Sequence, residues 1–199
     1  MAKIMRVQGR DFAALLLGAV LLWITEAASA EHGERVTVLV AHPGLADAAY
    51  AHSVVVLQRG ENDEVGVIIN RPSDYAVADV LDAPAAEKAV DPLYSGGPFL
   101  PQQLIALIRD EKSPGQGSMQ LASGLHLSIN ANELQHSLER SPGTARFYAG
   151  LVLWRPGELA EELKRGLWLK LDVPVDTVFR QDAEGLWDEL LVIAQAVRT

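Results

Sequence analysis

The chain has 199 residues, with 17 Lys plus Arg against 26 Asp plus Glu, 49% hydrophobic residues and no cysteine. That apolar share excludes a disordered chain, and the net charge of −9 leaves no overall basic field for releasing counterions from nucleic acid, which is not expected as a partner. Without thiols there are no disulfides, thiolate metal sites, cysteine nucleophiles or lipidated N-terminal cysteine.

Lys3, Arg6 and Arg10 precede an apolar run from Phe12 to Ile24. At about 1.5 Å of helical rise per residue, the run falls short of the roughly 30 Å hydrocarbon core of a membrane. Ala28-Ser29-Ala30 then supplies the small-x-small pattern of a signal-peptidase site, before polar Glu31 to Arg35. The reading is an export signal over residues 1–30, cleaved after Ala30, and one mature domain over 31–199 in the periplasm or outside the cell. An uncleaved membrane anchor is the alternative. Cleavage leaves 14 basic and 24 acidic residues, a charge of about −10, and no stable membrane span.

Val36 to Val40 alternates β-branched and apolar residues and predicts the first strand, ended by His42-Pro43-Gly44. Ser53 to Gln58 and Val65 to Asn70, separated by Gly60-Glu61-Asn62-Asp63, predict a β-hairpin. Both strands are continuously apolar rather than alternating, which places a cover on each face of the sheet. Ser73 or Asp74 is positioned to cap a short helix through Leu81, with Val77, Val80 and Leu81 as its apolar stripe. Leu104 to Ile108, Met119 to Leu121 and Leu125 to Ile129 read as strands, with a flexible loop expected over Ser113 to Ser118. Asn130 or Asn132 caps a helix to Leu138, and Arg146 to Trp154 is another strand.

The helix from Pro156 to Arg165 has proline in its first turn, acidic Glu158, Glu161 and Glu162 near its positive end, basic residues in its last turn and Gly166 beyond. Trp168 to Val173 is a strand, and Ala183 to Val197 a helix with Leu186, Leu190, Ile193 and Val197 as its stripe. Helix and strand interleave without a βαβ period or a glycine-rich phosphate turn, so the class is α+β.

Polar residues gather at three turns: His42 to Asp47, Asn70 to Ser73 and Ser95 to Pro98. Arg71 with Asn70 could hold a carboxylate or phosphate, and the N–H groups of Gly96 and Gly97 could form a concavity for an anion. The plainer account is that Asn70 ends a strand, Pro72 keeps Arg71 extended and the glycines let the chain turn. His42 with Asp47 could form a general base oriented by a carboxylate, but no nucleophile completes the pair, since Ser95, Ser118 and Ser123 lack a Gly-x-Ser-x-Gly elbow. The five histidines show no His-Glu-x-x-His, so neither a metal nor a cofactor is expected. Trp154, Trp168 and Trp187 adjoin apolar stripes and read as core, and Glu158, Glu161 and Glu162 as a solvated helix start.

His42-Pro43-Gly44-Leu45-Ala46-Asp47, Ser53-Val54-Val55-Val56-Leu57, Gly66 to Ser73, Gly96-Gly97-Pro98 and Trp154-Arg155-Pro156-Gly157-Glu158-Leu159 followed by Trp168 stand in an order that resembles the bacterial YqgE/AlgH family across nearly all of the mature chain. The resemblance implies bifurcated β-sheets rolled into a pseudo-barrel flanked by helices. It implies no established reaction. The family's label is regulator of alginate production, yet no DNA-reading helix is visible here. Where the family has Gly-Tyr-Ala-Gly-Trp-Gly-Pro-Gly-Gln-Leu, this chain has Gly150-Leu151-Val152-Leu153-Trp154-Arg155-Pro156-Gly157-Glu158-Leu159. Leu153 and Arg155 would obstruct any ligand approaching the backbone at those two glycines. The expectation is a module that binds a small anion or a protein partner through His42, Asp47, Asn70, Arg71, Gly96 and Gly97. The alternatives are an undescribed enzyme using His42 and Asp47, or the regulator of the label.

Overall fold

The computed structural model describes residues 34–59, 64–112 and 115–197. The expected export signal, the hairpin turn at Gly60 to Asp63 and the start of the Ser113 loop lie outside them. β1 (Arg35–Ala41), β2 (Val54–Arg59) and β3 (Glu64–Ile68) form an antiparallel meander, so the predicted hairpin strands pair, with Val56 opposite Val67. β4 (Tyr94–Ser95) is a short strand not foreseen in the sequence. β5 (Phe99–Arg109), β6 (Ser118–Ala122), β7 (Leu125–Ser128), β8 (Ala145–Trp154) and β9 (Trp168–Pro174) complete the sheet. Its order is β6-β7-β5-β8-β3-β2-β1-β9, antiparallel throughout, with β4 alongside β8 in parallel.

β8 belongs to both halves of the sheet. Its first part pairs with β5 and β4, and Val152 to Trp154 pair with β3. The split falls at Gly150, whose φ of +75° is open to glycine at little cost. There the register with β5 jumps from Phe99–Leu151 to Leu104–Ala149, leaving Leu100 to Gln103 as an excursion opposite one residue. Such bulges bend and twist a strand, and here the sheet curls until β6 lies against β1 and β2. The result is the curled half-barrel expected of the fold.

The continuous apolar runs have the predicted cause. Val36, Val38 and Val40 of β1 face the barrel interior with Val54, Val67, Ile105, Leu127 and Leu169, while Leu39 and Ala41 face outward with Val55, Ile68 and Val152. Among the described residues three α-helices cover the sheet. α1 (Ala131–Arg140), capped by the Asn130 side chain on the Asn132 N–H, sets Leu134 and Leu138 on the outer face of β5 and β8. α2 (Glu158–Lys164) sets Leu159 on the other outer face, and α3 (Leu186–Val197) closes the interior with Leu186, Leu190 and Ala194. No helix among the described residues is long and apolar enough to cross a membrane.

Four sequence expectations need correction. The expected helix from Ser73 to Leu81 is a single 3-10 turn, Val77–Asp79, because Leu93 N–H bonds Tyr75 O and Ser73 bonds Leu93 through both its N–H and its hydroxyl, holding the entry extended. Pro156 precedes α2 rather than lying within it, and left-handed Gly157, φ +83°, starts that helix. In α3, Ile193 and Val197 are exposed, since residues 186, 190 and 194 form the i, i+4 ridge that packs on the sheet. Finally, Glu162 is not a solvated helix-start residue. Its Oε2 accepts both indole N–H groups of the buried pair Trp154 and Trp168, at 2.8 and 2.7 Å, where the two rings meet edge to face. The two tryptophans are core, as expected.

A polar cluster is buried around Arg146. Arg146, fully buried, donates from Nε to Asp91 at 2.9 Å and from its two terminal nitrogens to the carbonyls of Val178 and Phe179, and it stacks over the Tyr94 ring. Beside it, Tyr148 is buried, and among the described residues its hydroxyl meets no partner at full hydrogen-bond geometry. Burial pushes that hydroxyl far above the ordinary tyrosine value, against the favourable Arg146 charge. A folded value above the unfolded one means that this contribution to stability is intact below about pH 10 and lost as pH rises further. Tyr148→Phe removes an unsatisfied group and leaves the ring, so stability at pH 7 should be unchanged or higher by up to about 1 kcal/mol. Urea melts at pH 7 and pH 11 check this: the alkaline loss should shrink in the variant, and an equal loss in both proteins refutes it.

Candidate functional site

Beyond β3 the chain places Asn70 and Arg71 beneath the loop that joins β1 to β2. Asn70 uses both ends of its amide: Oδ1 accepts the Val54 N–H at 2.8 Å and Nδ2 donates to the His52 carbonyl at 3.0 Å. Arg71 donates to the carbonyls of Ala49 and Ala51 at 2.7 and 2.8 Å. The loop above them begins as a turn at Asp47, whose carbonyl accepts the N–H groups of Tyr50 and Ala51 and whose side chain accepts that of Ala49. It ends at His52, left-handed at φ +56°, with its ring edge-on to Trp187 at 4.3 Å. Trp187 in turn donates to the Ala41 carbonyl. The amide and guanidinium therefore satisfy three carbonyls of the loop, those of Ala49, Ala51 and His52.

The second wall comes from the β4 segment. Ser95 N–H bonds the Arg71 carbonyl, Pro72 bridges to Tyr94, and Gly96 bonds to Ile68 and Ala149 on either side. At this crossing the backbones leave no room for side chains. A Cβ on Gly96 would lie 2.3 Å from the Gly150 carbonyl oxygen, and one on Gly97 2.3 Å from Leu151. Between this segment and the loop lies a recess of about 270 Å³ lined by Ala49, Arg71, Ser95, Gly97, Pro98 and Pro101.

Arg71 is the charged residue of that lining. Four other arginines, 109, 140, 146 and 180, form ion pairs, whereas Arg71 has no carboxylate partner among the described residues. Its half-burial lowers the guanidinium's pKa through desolvation. A guanidinium carries five N–H donors, and the two bonds to the loop leave three for a ligand. Nearby, burial raises the Tyr50 hydroxyl, and the charges of Asp47, Glu162 and Glu158 add to that shift.

Of the six residues singled out in the sequence, the structure brings Arg71 and Gly97 into one recess, with Asn70 and Gly96 fixing its walls. The Gly96 N–H is spent on the Ala149 carbonyl, so the expected two-glycine anion concavity does not form at that residue. His42 and Asp47 do not line the recess. His42 Nδ1 accepts the Gly44 N–H and the His42 N–H donates to the Leu167 carbonyl, while the bonds of Asp47 run within its own turn, so none of these bonds joins the two residues. Ala49, Pro98 and Pro101 were not anticipated as lining. Of these only Pro98 stood within a motif, the Gly96-Gly97-Pro98 turn, and nothing in the sequence brings position 49 to position 101. Leu153 and Arg155 lie outside the recess lining. Among the described residues, no group of three or more His, Asp or Glu is placed to hold a metal ion.

Comparison with known proteins places this architecture among relatives. The family model described as AlgH-like (DUF179) matches residues 38–196. A UPF0301 protein of Anaeromyxobacter dehalogenans strain 2CP-C is 34% identical over 163 residues, covering 75% of this chain and 82% of its own. One from Stenotrophomonas maltophilia strain K279a is 29% identical over 171 residues, covering 82% and 88%. The solution structure of the AlgH protein from Pseudomonas aeruginosa superposes with a TM-score of 0.65 at 26% identity, over 81% of this chain and 86% of that one. A crystal structure of a Corynebacterium diphtheriae protein gives 0.60 at 25% identity, over 77% and 83%.

Proposed function

The chain belongs to the AlgH-like family, and from that premise we propose that it is a binding module whose ligand is a small anion held at Arg71. One observation carries the reading: in a protein of net charge −9, a half-buried guanidinium lines a recess with no carboxylate of the described residues paired to it. Desolvating a charge without a counterion is costly, and an incoming anion repays that cost with charge-assisted hydrogen bonds. The site is also pre-organised. Asn70 and the glycine crossing hold both walls by backbone bonds, so little ordering is left for binding to accomplish.

Thermal melts at constant ionic strength, with a panel of carboxylates, sulfate and phosphate, test the reading. A ligand present at about 100 times its Kd adds about 2.7 kcal/mol of stability. At least one anion should raise the Tm of the parent protein and not that of Arg71→Gln, while Arg71→Lys, which keeps the charge, retains part of the rise. No rise with any anion, or an equal rise in Arg71→Gln, overturns it.

The basic, apolar and small-residue segments of residues 1–30 support a place outside the cytoplasm for this module. N-terminal sequencing of the protein from fractionated cells should begin at Glu31. Intact protein beginning at Met1 in the cytosol overturns the export reading.

A further inference from the structure

The lining of the recess distinguishes between classes of anion. It has one cation and few other donors. Pro98 and Pro101 have no N–H, and that of Ser95 is spent on the Arg71 carbonyl. Phosphate sites collect several backbone N–H groups, commonly at a helix N-terminus, or more than one cation, and the six lining residues include neither. A phosphate dianion here would keep an uncompensated negative charge inside an already acidic protein.

A carboxylate fits on each count. Its single charge is neutralised by one guanidinium, and its two coplanar oxygens match the planar fork of arginine. Three N–H donors remain on Arg71 after the two loop carbonyls are served. The Ser95 side chain stands at the same wall. The remaining lining, Ala49, Pro98 and Pro101, is apolar and suits a short aliphatic body. A volume of about 270 Å³ lies just under the range usual for small-molecule pockets, which favours a ligand of a few carbon atoms.

We propose that the Arg71 recess selects a carboxylate bearing a short apolar group, from either a small free acid or the C-terminus of a peptide, over phosphate. This rests on the anion reading of the same recess.

The test is an NMR titration at constant ionic strength with four probes: propionate, N-acetyl-alanyl-alanine, the C-terminal amide of that dipeptide, and inorganic phosphate. The readout is the backbone amide shifts of Ala49, Ser95 and Gly97. Propionate or the free-acid dipeptide should saturate these shifts, with phosphate at least tenfold weaker and the amide without effect. A dipeptide tenfold tighter than propionate supports a chain terminus as the source, and equal affinity supports free acids. Ser95→Leu adds bulk to the recess while leaving the bonds from Arg71 to the loop in place, and should weaken the carboxylate at least tenfold even if Arg71 variants fold poorly. Phosphate binding as tightly as the carboxylates overturns the selection and leaves the anion reading standing. No shift with any probe overturns both.

Discussion

Arg146→Met is expected to destabilise the protein by about 3–5 kcal/mol, the cost of removing one partner from a buried ion pair. For a domain of this size that corresponds to a fall in Tm of roughly 10 °C. Arg146 has no exposed surface, and Asp91, its partner at 2.9 Å, is only 12% exposed. Loss of the guanidinium leaves Asp91 with the Gln181 amide as its remaining side-chain partner and frees the carbonyls of Val178 and Phe179 inside the fold. Those carbonyls belong to a 3-10 turn, Val175–Phe179, that follows β9, so the variant should also loosen the entry to α3. Methionine fills much of the volume, which isolates the polar loss from a cavity effect. The double variant Arg146→Met with Asp91→Asn should cost less than the sum of the singles, because it removes both charges together. Urea denaturation of the four proteins measures this. A single-variant loss under about 1 kcal/mol, or strict additivity, would show that the pair does not hold the interior.

Gly150→Ala should cost about 3 kcal/mol, combining roughly 1–2 for a non-glycine residue in the left-handed region with at least 1 for overpacking. At φ +75°, its Cβ would stand 2.3 Å from the Gly97 carbonyl oxygen and 3.0 Å from that of Phe99. Both atoms are backbone, so no rotamer change relieves the contact, and the two halves of the sheet must move apart at β8. Because Gly97 lines the recess, the variant should also lower the affinity for any anion bound at Arg71. Gly143→Ala is the control, since a Cβ there meets nothing within 4 Å. A melt of Gly150→Ala indistinguishable from that of Gly143→Ala would falsify the account of the crossing.

The sequence reveals local order well. The runs Val36 to Val40, Leu104 to Ile108 and Trp168 to Val173 each lie in a strand, and Ser53 to Gln58 does so from Val54 on, because β-branched and apolar runs bounded by turn residues carry their own signal. Asn130 caps α1 through a bond two residues along the chain, which spacing alone makes legible. The 3-10 turns at Pro84–Lys88 and Val175–Phe179, and strand β4, were not legible. Each is too short to show a period, and β4 exists through pairing with residues far along the chain.

The candidate site divides in the same way. Asn70, Arg71 and Gly97 are visible as polar or glycine residues at turns, but their tasks are not. Asn70 serves a carbonyl 18 positions away, Arg71 serves two at 20 and 22, and Gly97 is required by the backbone of Leu151. His42 and Asp47 look like a pair in the sequence because both are polar and near each other. In the fold each side chain accepts the N–H two residues further on and so closes its own turn.

Residue order and chemistry alone established an acidic, thiol-free α+β domain with apolar strands covered on both faces, because composition and short-range periodicity are properties of neighbours along the chain. The choice among its polar residues came from the folded molecule. The closed fold brings residues 49, 71, 95 and 101 to one recess, sets Glu162 on two indoles, and seals Arg146 inside while leaving Arg71 with donors to spare. Whether an arginine's charge is spent or available depends here on partners 20 to 55 positions along the chain, and those distances exist only once the chain has closed on itself.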